Sequence, residues 1–245
     1  MGERNILLTV GYDGTDFCGW QRQDNVRTVQ GELERALAEL HPEAPHVIAA
    51  GRTDSGVHAI GQCVSFRPRS SSIPIDRYPA ALNRLLPRDL KIRDAREVPG
   101  RFHARFDAKQ RTYRYQIMIS NQPDPCYDRF AHRTHRHPQI ARWNRMAAAL
   151  VGEQDFTTFA ASPQAEESTV RCVHAAAFYA AGPLVVFRIA ANAFLWRMIR
   201  SIVGTILELR SSDPEEFGAI LNARDRARAG TTAPARGLFL ERVEY

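Results

Sequence analysis

His46-Val47-Ile48-Ala49-Ala50-Gly51-Arg52-Thr53-Asp54-Ser55-Gly56-Val57-His58-Ala59, followed closely by Gln62-Cys63-Val64-Ser65-Phe66, decides how the chain is read. The apolar runs 46–50 and 62–66 have the length of buried strands, and the glycines around Thr53-Asp54-Ser55 mark a tight turn. Upstream, Ile6, Leu8 and Val10 alternate as a strand does. Thr28 then caps a helix with Val29, Leu33, Ala36, Leu37 and Leu40 at helical spacing. Downstream, Tyr78, Leu82, Leu85 and Leu86 form a second helical stripe that Pro87 stops, and a further strand runs near 90–98. The order β-α-β-β-α-β is that of a ferredoxin-like unit.

The second half repeats that order with longer insertions. Residues 111–119 are strand-like, with Tyr113, Tyr115, Ile117 and Ile119 on one face. His137-Pro138 opens a helix whose stripe is Ile140, Trp143, Ala147, Leu150 and Val151. A hairpin at 170–179 and 184–190 turns around Gly182-Pro183, and an apolar helix covers 195–209. Asp213-Pro214-Glu215-Glu216 opens another helix with Asp213 as its capping carboxylate, and 237–245 closes the chain as a strand. The fold class is α/β (α+β), two ferredoxin-like halves spanning 1–107 and 108–245, with a hinge near 105–110. The duplication lies in element order, with no visible sequence repeat.

At 245 residues the chain has room for one large domain or two small ones. A hydrophobic content of 44% and a charged content of 24% describe an ordinary soluble protein. No apolar run reaches membrane-spanning length and Met1-Gly2-Glu3-Arg4-Asn5 has no signal-peptide pattern, so a cytoplasmic location is expected. Cys18, Cys63, Cys126 and Cys172 form no C-x-x-C pair and read as reduced structural thiols. The net charge of +6 favours an acidic partner. Lys91 and Lys109 are the only lysines among 33 basic residues, a skew that suits phosphate contact but that codon bias also produces.

Asp54 sits on a glycine-flanked turn two residues after Arg52. A carboxylate fixed on a rigid element beside a cation stays ionised and is available as nucleophile or base. An ordinary turn aspartate bonded to its own backbone is the competing reading.

Gly51 to Ala59 as a whole resembles the catalytic loop of the tRNA pseudouridine synthase TruA family. Four more blocks are similar to that family in the same order: Tyr12-Asp13-Gly14-Thr15 with Phe17, Gly19-Trp20-Gln21 and Thr28-Val29-Gln30-Gly31; Phe102-His103-Ala104-Arg105-Phe106 with Arg111-Thr112-Tyr113-Arg114-Tyr115; Asn192-Ala193-Phe194-Leu195 with Met198-Ile199-Arg200 and Val203-Gly204-Thr205; and Thr232-Ala233-Pro234-Ala235 with Gly237-Leu238 and Leu240. The chain departs from the pattern at Gly152-Glu153-Gln154-Asp155-Phe156, where the family usually has His before Asp.

The resemblance implies sheets that join around a basic central cleft, a homodimer, and a tRNA substrate modified in the anticodon stem-loop at positions 38, 39 and 40. It points to Asp54 for catalysis and to Tyr113 for stacking on a flipped base. Arg52 and Arg200 are read as substrate-binding cations near Asp54 and the target phosphate, with Arg52 also suited to fill the space left by the flipped nucleotide, and Asn192 as a substrate-site residue that bonds the loop carrying Asp54. Asn192 as a β-edge turn residue remains an equal alternative. Tyr115 is placed in the core, and His58 is read as bracing the loop. The reaction gains and loses no atoms, so no cofactor is expected, and the chain has neither a P-loop nor a G-x-G-x-x-G motif.

Three other readings compete. His132, His135 and His137 lie near Cys126 and Asp128, which suggests a metal site; Arg133 and Arg136 interleave with them, and His137 stands where a helix cap belongs. A non-catalytic RNA-binding module accounts for strand aromatics but not for a carboxylate in a basic motif. Serine hydrolysis through Ser55 and His58 lacks the G-x-S-x-G elbow.

Overall fold

The computed structural model describes residues 4–69, 72–135, 137–162, 164, 168–209 and 214–245. The chain divides into two compact units, one made of residues 1–109 with 239–245 and the other of residues 110–238. No helix among the described residues is long and apolar enough to cross a membrane.

The first unit contains β1 (Asn5–Tyr12), α1 (Val29–Leu40), β2 (Ile48–Ala49), β3 (His58–Phe66), α2 (Tyr78–Leu85) and β4 (Leu90–Val98). Its strands run in the order β4-β1-β3, with β2 on the far edge of β3, so the sheet has ferredoxin-like order. Antiparallel pairing places Ile6 opposite Phe66 and Leu8 opposite Val64. That face carries the helices: Phe66 meets His41 at the end of α1 and Tyr78 at the start of α2, with ring centroids 5.9 Å apart in each case. Thr28 caps α1 by accepting from the Gly31 amide at 3.2 Å.

The opposite face of the sheet is also covered. Leu7, Ala50, Cys63 and Ala104 form a buried cluster lined by Phe102 and Tyr245. The strict alternation expected for β1 is therefore replaced by burial on both faces. Leu85, expected in the α2 stripe, lies exposed, and Leu86 is buried just past the helix. β2 is shorter than the run 46–50 suggested because only Ile48 and Ala49 pair with β3. The rest of that edge is taken by β10 (Leu238–Glu244), which runs parallel to β3 with Phe239 opposite His58 and Leu240 opposite Ala59. Residues 239–245 thus count with the first unit, whereas the sequence reading ran the second half unbroken from 108 to 245.

The second unit holds β5 (Gln110–Ile119), β6 (His132–Thr134), α3 (Ile140–Ala148), β7 (Gly152–Asp155), β8 (Val170–Ala181), β9 (Leu184–Ala191), α4 (Met198–Glu208) and α5 (Pro214–Asn222). Its strands lie in the order β5-β9-β8-β7, with β6 parallel to β5. Trp143 of α3, Phe178 of β8 and Phe187 of β9 form a run of rings 5.3 and 4.5 Å apart at the core. Helix α3 begins at Ile140 rather than at Pro138, and Val151 of its expected stripe is exposed while Met146 is buried. Helix α4 begins at Met198 rather than Leu195, because Arg197 adopts a left-handed backbone (φ 60°). The capping role read for Asp213 falls outside the described residues.

Candidate active site

Residues 51–57 link β2 to β3, and the segment between β1 and α1 clamps them. Trp20 N–H donates to the Thr53 carbonyl at 3.0 Å, and the Tyr12 and Thr53 hydroxyls lie 2.7 Å apart in the buried interior. Gln62 Nε2 donates to the Gly51 carbonyl at 2.7 Å. The Asp54 carbonyl accepts from Val57 N–H at 3.1 Å, and the Phe17 carbonyl receives both Gly56 N–H and the Ser55 hydroxyl. The peptide units on both sides of Asp54 are thereby fixed, while its side chain is half-buried and Arg52 is exposed. The loop thus holds the Cα of Asp54 on a fixed backbone.

Two glycines permit this clamp. A Cβ at Gly14 would fall 2.0 Å from the Val57 carbonyl oxygen. Gly19 has φ 85° and passes so close that a Cβ would lie 2.8 Å from the Thr53 carbonyl oxygen. Arg27 ties the clamping segment down through a forked pair to Asp89 at 2.7 and 2.8 Å and through Glu32, with its guanidinium 4.1 Å from the Phe17 ring centroid. Burial pushes the Tyr12 phenol up, against the opposing hydrogen bonds of Thr53 and Gln62, so it stays a neutral hydroxyl at physiological pH.

His58 braces the loop, as its sequence position suggested. It is fully buried, and its Nδ1 accepts from Gly14 N–H at 2.9 Å and lies 3.2 Å from an Asp13 carboxylate oxygen. Its ring stacks on Phe239 at 4.5 Å.

In the second unit, Tyr113 on β5 is only 8% exposed and packs edge-on against Phe194, with centroids 5.1 Å apart. Tyr115 is in the core, its hydroxyl donating to the Pro234 carbonyl at 2.8 Å. Arg200 Nε donates to the Ala233 carbonyl at 2.8 Å, and Ala233 N–H returns a bond to the Arg200 carbonyl. The blocks around 198–205 and 232–235 are therefore one interlocked structure. Asn192 Oδ1 accepts from the amides of Cys172 and Ala193, and its carbonyl accepts from Arg111 at 2.6 Å. Those bonds belong to a turn at the end of the β8–β9 pair, beside a register shift between Val173 and Ala175.

At the departure from the family pattern, Gln154 Nε2 donates to the carbonyls of Ala149 and Val151, finishing the end of α3. Asp155 accepts from Thr157 and Thr169 and pairs with Arg224 at 3.0 Å. Burial raises its carboxyl, but those hydrogen bonds and the guanidinium outweigh it and the pKa falls below the ordinary value.

The histidine cluster does not assemble. His132 lies against the Tyr115 ring and His135 bonds Asn121 at 3.1 Å, and among the described residues no three His, Cys, Asp or Glu side chains gather as metal ligands. The four cysteines are free thiols, but only Cys63 is buried, so the structural reading suits that one.

Sequence reasoning gave no role to Tyr12, Trp20, Thr53 or Gln62, the residues that fix the Asp54 loop. The glycines Gly14 and Gly19 were the available signal, since each sits where only a missing side chain allows close approach.

The first unit is thus a ferredoxin-like α/β sheet that carries a carboxylate residue on a backbone-held loop, in a chain of net charge +6. The family described as tRNA pseudouridine synthase matches residues 8–107 and 146–245. A tRNA pseudouridine synthase A from Treponema denticola is 44% identical, covering 99% of this chain and 93% of that protein. Others from Halalkalibacterium halodurans and Moorella thermoacetica are each 44% identical, over 96% and 98% of this chain and 90% and 99% of theirs. The chain belongs to the tRNA pseudouridine synthase family, and with it to the isomerases that act on tRNA.

Proposed function

We propose that the chain isomerises uridine to pseudouridine in the anticodon stem-loop of tRNA, at positions 38, 39 and 40, with Asp54 as the acting carboxylate. The observation that carries this reading is the Asp54 loop, where the backbone is bonded on both sides of a half-buried carboxylate residue.

The N1–C1′ bond breaks, the uracil turns, C5 joins C1′, and the proton on C5 is lost as N1 regains one. The sugar carbon becomes electron-poor as the bond breaks, the same demand that glycosidases meet with carboxylates. One carboxylate suffices because the leaving base stays bound and returns. Asp54 serves either by adding to C1′ or by removing a sugar proton. Reaching a stacked uridine requires flipping it, at about a few kcal/mol, and stacking on an aromatic ring returns roughly 1–3 kcal/mol. Tyr113 takes that stacking role. Arg52 and Arg200 serve the phosphates, and Asn192 supports the site by holding the turn that carries Ala193 and by accepting from Arg111. The working protein is a homodimer in the cytoplasm, needing no cofactor.

Incubation with unmodified tRNA transcript, followed by chemical mapping of pseudouridine, tests the reaction and its positions together. Product at the three anticodon-arm uridines is expected. A transcript left unchanged by well-folded protein overturns the proposal. Sedimentation of the purified chain tests the dimer.

A further inference from the structure

The block Phe102-His103-Ala104-Arg105-Phe106 has no part in the chemistry above, yet it is bolted to the first unit at almost every residue. Asn5 Nδ2 donates to the carbonyls of Pro99, Gly100 and Phe102. Ala104 N–H donates to the Ser65 hydroxyl, and the Ala104 carbonyl accepts from Tyr245. His103 N–H donates to the Asp107 carboxylate, and Asp107 N–H donates back to the His103 carbonyl. His103 Nδ1 accepts from the amides of Arg105 and Phe106 at 3.2 and 3.3 Å, which closes the turn.

What this rigid turn presents is a bare aromatic ring. Phe106 is 76% exposed, more than any other large apolar side chain among the described residues. Single exposed apolar residues are ordinary on a surface. This one is pre-organised: its ring stacks on the His103 imidazole at 4.3 Å and 28°, and the Arg105 guanidinium stands 5.7 Å from its centroid. Arg101, Arg105 and Lys109 are exposed along the same nine residues, and the one carboxylate within that stretch, Asp107, is bonded to the turn itself.

An aromatic ring backed by an imidazole, with a guanidinium beside it and further exposed cations close in sequence, matches the way proteins hold unpaired nucleotides, with the base on the ring and the phosphate on the cations. We infer that Phe106, with His103 and Arg105, is a stacking platform for an unpaired base of the substrate RNA other than the one isomerised, with Arg101 and Lys109 meeting the flanking phosphates. A second copy of this chain is disfavoured as the occupant, because the exposed Arg101, Arg105 and Lys109 of this short stretch would face their own counterparts. This inference rests on the tRNA reading of the preceding section.

Binding of labelled, unmodified tRNA transcript and single-turnover isomerisation are to be measured for the wild type, Phe106→Ala, Phe106→Leu and Phe106→Trp. Phe106→Ala and Phe106→Leu should each weaken tRNA affinity about tenfold, and Phe106→Trp should restore it, since stacking needs a ring rather than apolar volume. Melting temperatures should stay at the wild-type value because the side chain is exposed. Wild-type affinity in Phe106→Ala, or full retention in Phe106→Leu, overturns the platform. A change in sedimentation with unaltered tRNA affinity overturns it too, in favour of a contact between copies. Should the wild type itself neither bind nor modify tRNA, the failure lies with the proposed function instead.

Discussion

The Asp54 loop of the first unit and the Tyr113–Arg200–Asn192 group of the second deploy their polar groups in opposite ways. Around Asp54 the loop is held through its backbone, by bonds at the Gly51, Thr53 and Asp54 carbonyls. In the second unit the side chains themselves do structural work: Tyr113 packs on Phe194, Arg200 holds Ala233, and Asn192 completes a turn. Substitution should therefore separate chemistry from folding at Asp54 and mix the two in the second unit.

The largest effect is expected at Asp54→Asn. Turnover should fall on the order of 10³-fold or more, with the melting temperature and tRNA affinity close to wild type. A large drop in melting temperature would erase the contrast, because Asp54 would then be structural as well. Tyr113→Leu should come next, losing turnover and about 2 kcal/mol of stability in urea unfolding, since it empties a packed ring site. Tyr113→Phe keeps the ring against Phe194 and should keep the stability. If it also keeps turnover, stacking is the whole of the role; if it loses turnover while folded, the hydroxyl takes part.

Asn192→Ala removes an acceptor shared by two amides and should cost about 1–2 kcal/mol. Its turnover at saturating tRNA should change only a few-fold; a loss beyond tenfold in folded protein would give Asn192 a direct share in the reaction. The smallest effect belongs to Asp155, whose carboxyl pKa is depressed below its ordinary 3.8 in the folded state. Stability from a depressed carboxyl is fully present above the unfolded pKa and disappears as pH falls through the folded one. Wild type should thus melt slightly above Asp155→Asn at pH 7, with the gap closing below about pH 4. A gap that persists in acid would locate the effect in packing rather than charge.

Local signals carried much of this fold. The Thr28 cap, the limits of β4 and the β8–β9 hairpin follow from residues close in sequence. What escaped depended on distant partners. β7 is the polar stretch Gly152–Asp155, a strand only because β8 offers it an edge. The burial of Leu7 depends on Ala104 and Tyr245, about a hundred and more residues away. Likewise, the Asp54 motif was readable as a string, but its rigidity comes from Tyr12 and Trp20, brought up from the preceding loop by glycines whose role shows only in space.

Strand β10 has a consequence for the order of events during synthesis. Residues 110–238 are continuous and are complete as a unit before Phe239 emerges. The first unit, though begun earlier, lacks its parallel partner for β3 and the ring that stacks on His58 until residues 239–245 are made. The first unit should therefore consolidate only once residues 239–245 are available to it, and a chain truncated after 238 would carry the Asp54 loop without one of its anchors. Activity should therefore depend on residues 239–245, far in sequence from the loop they brace.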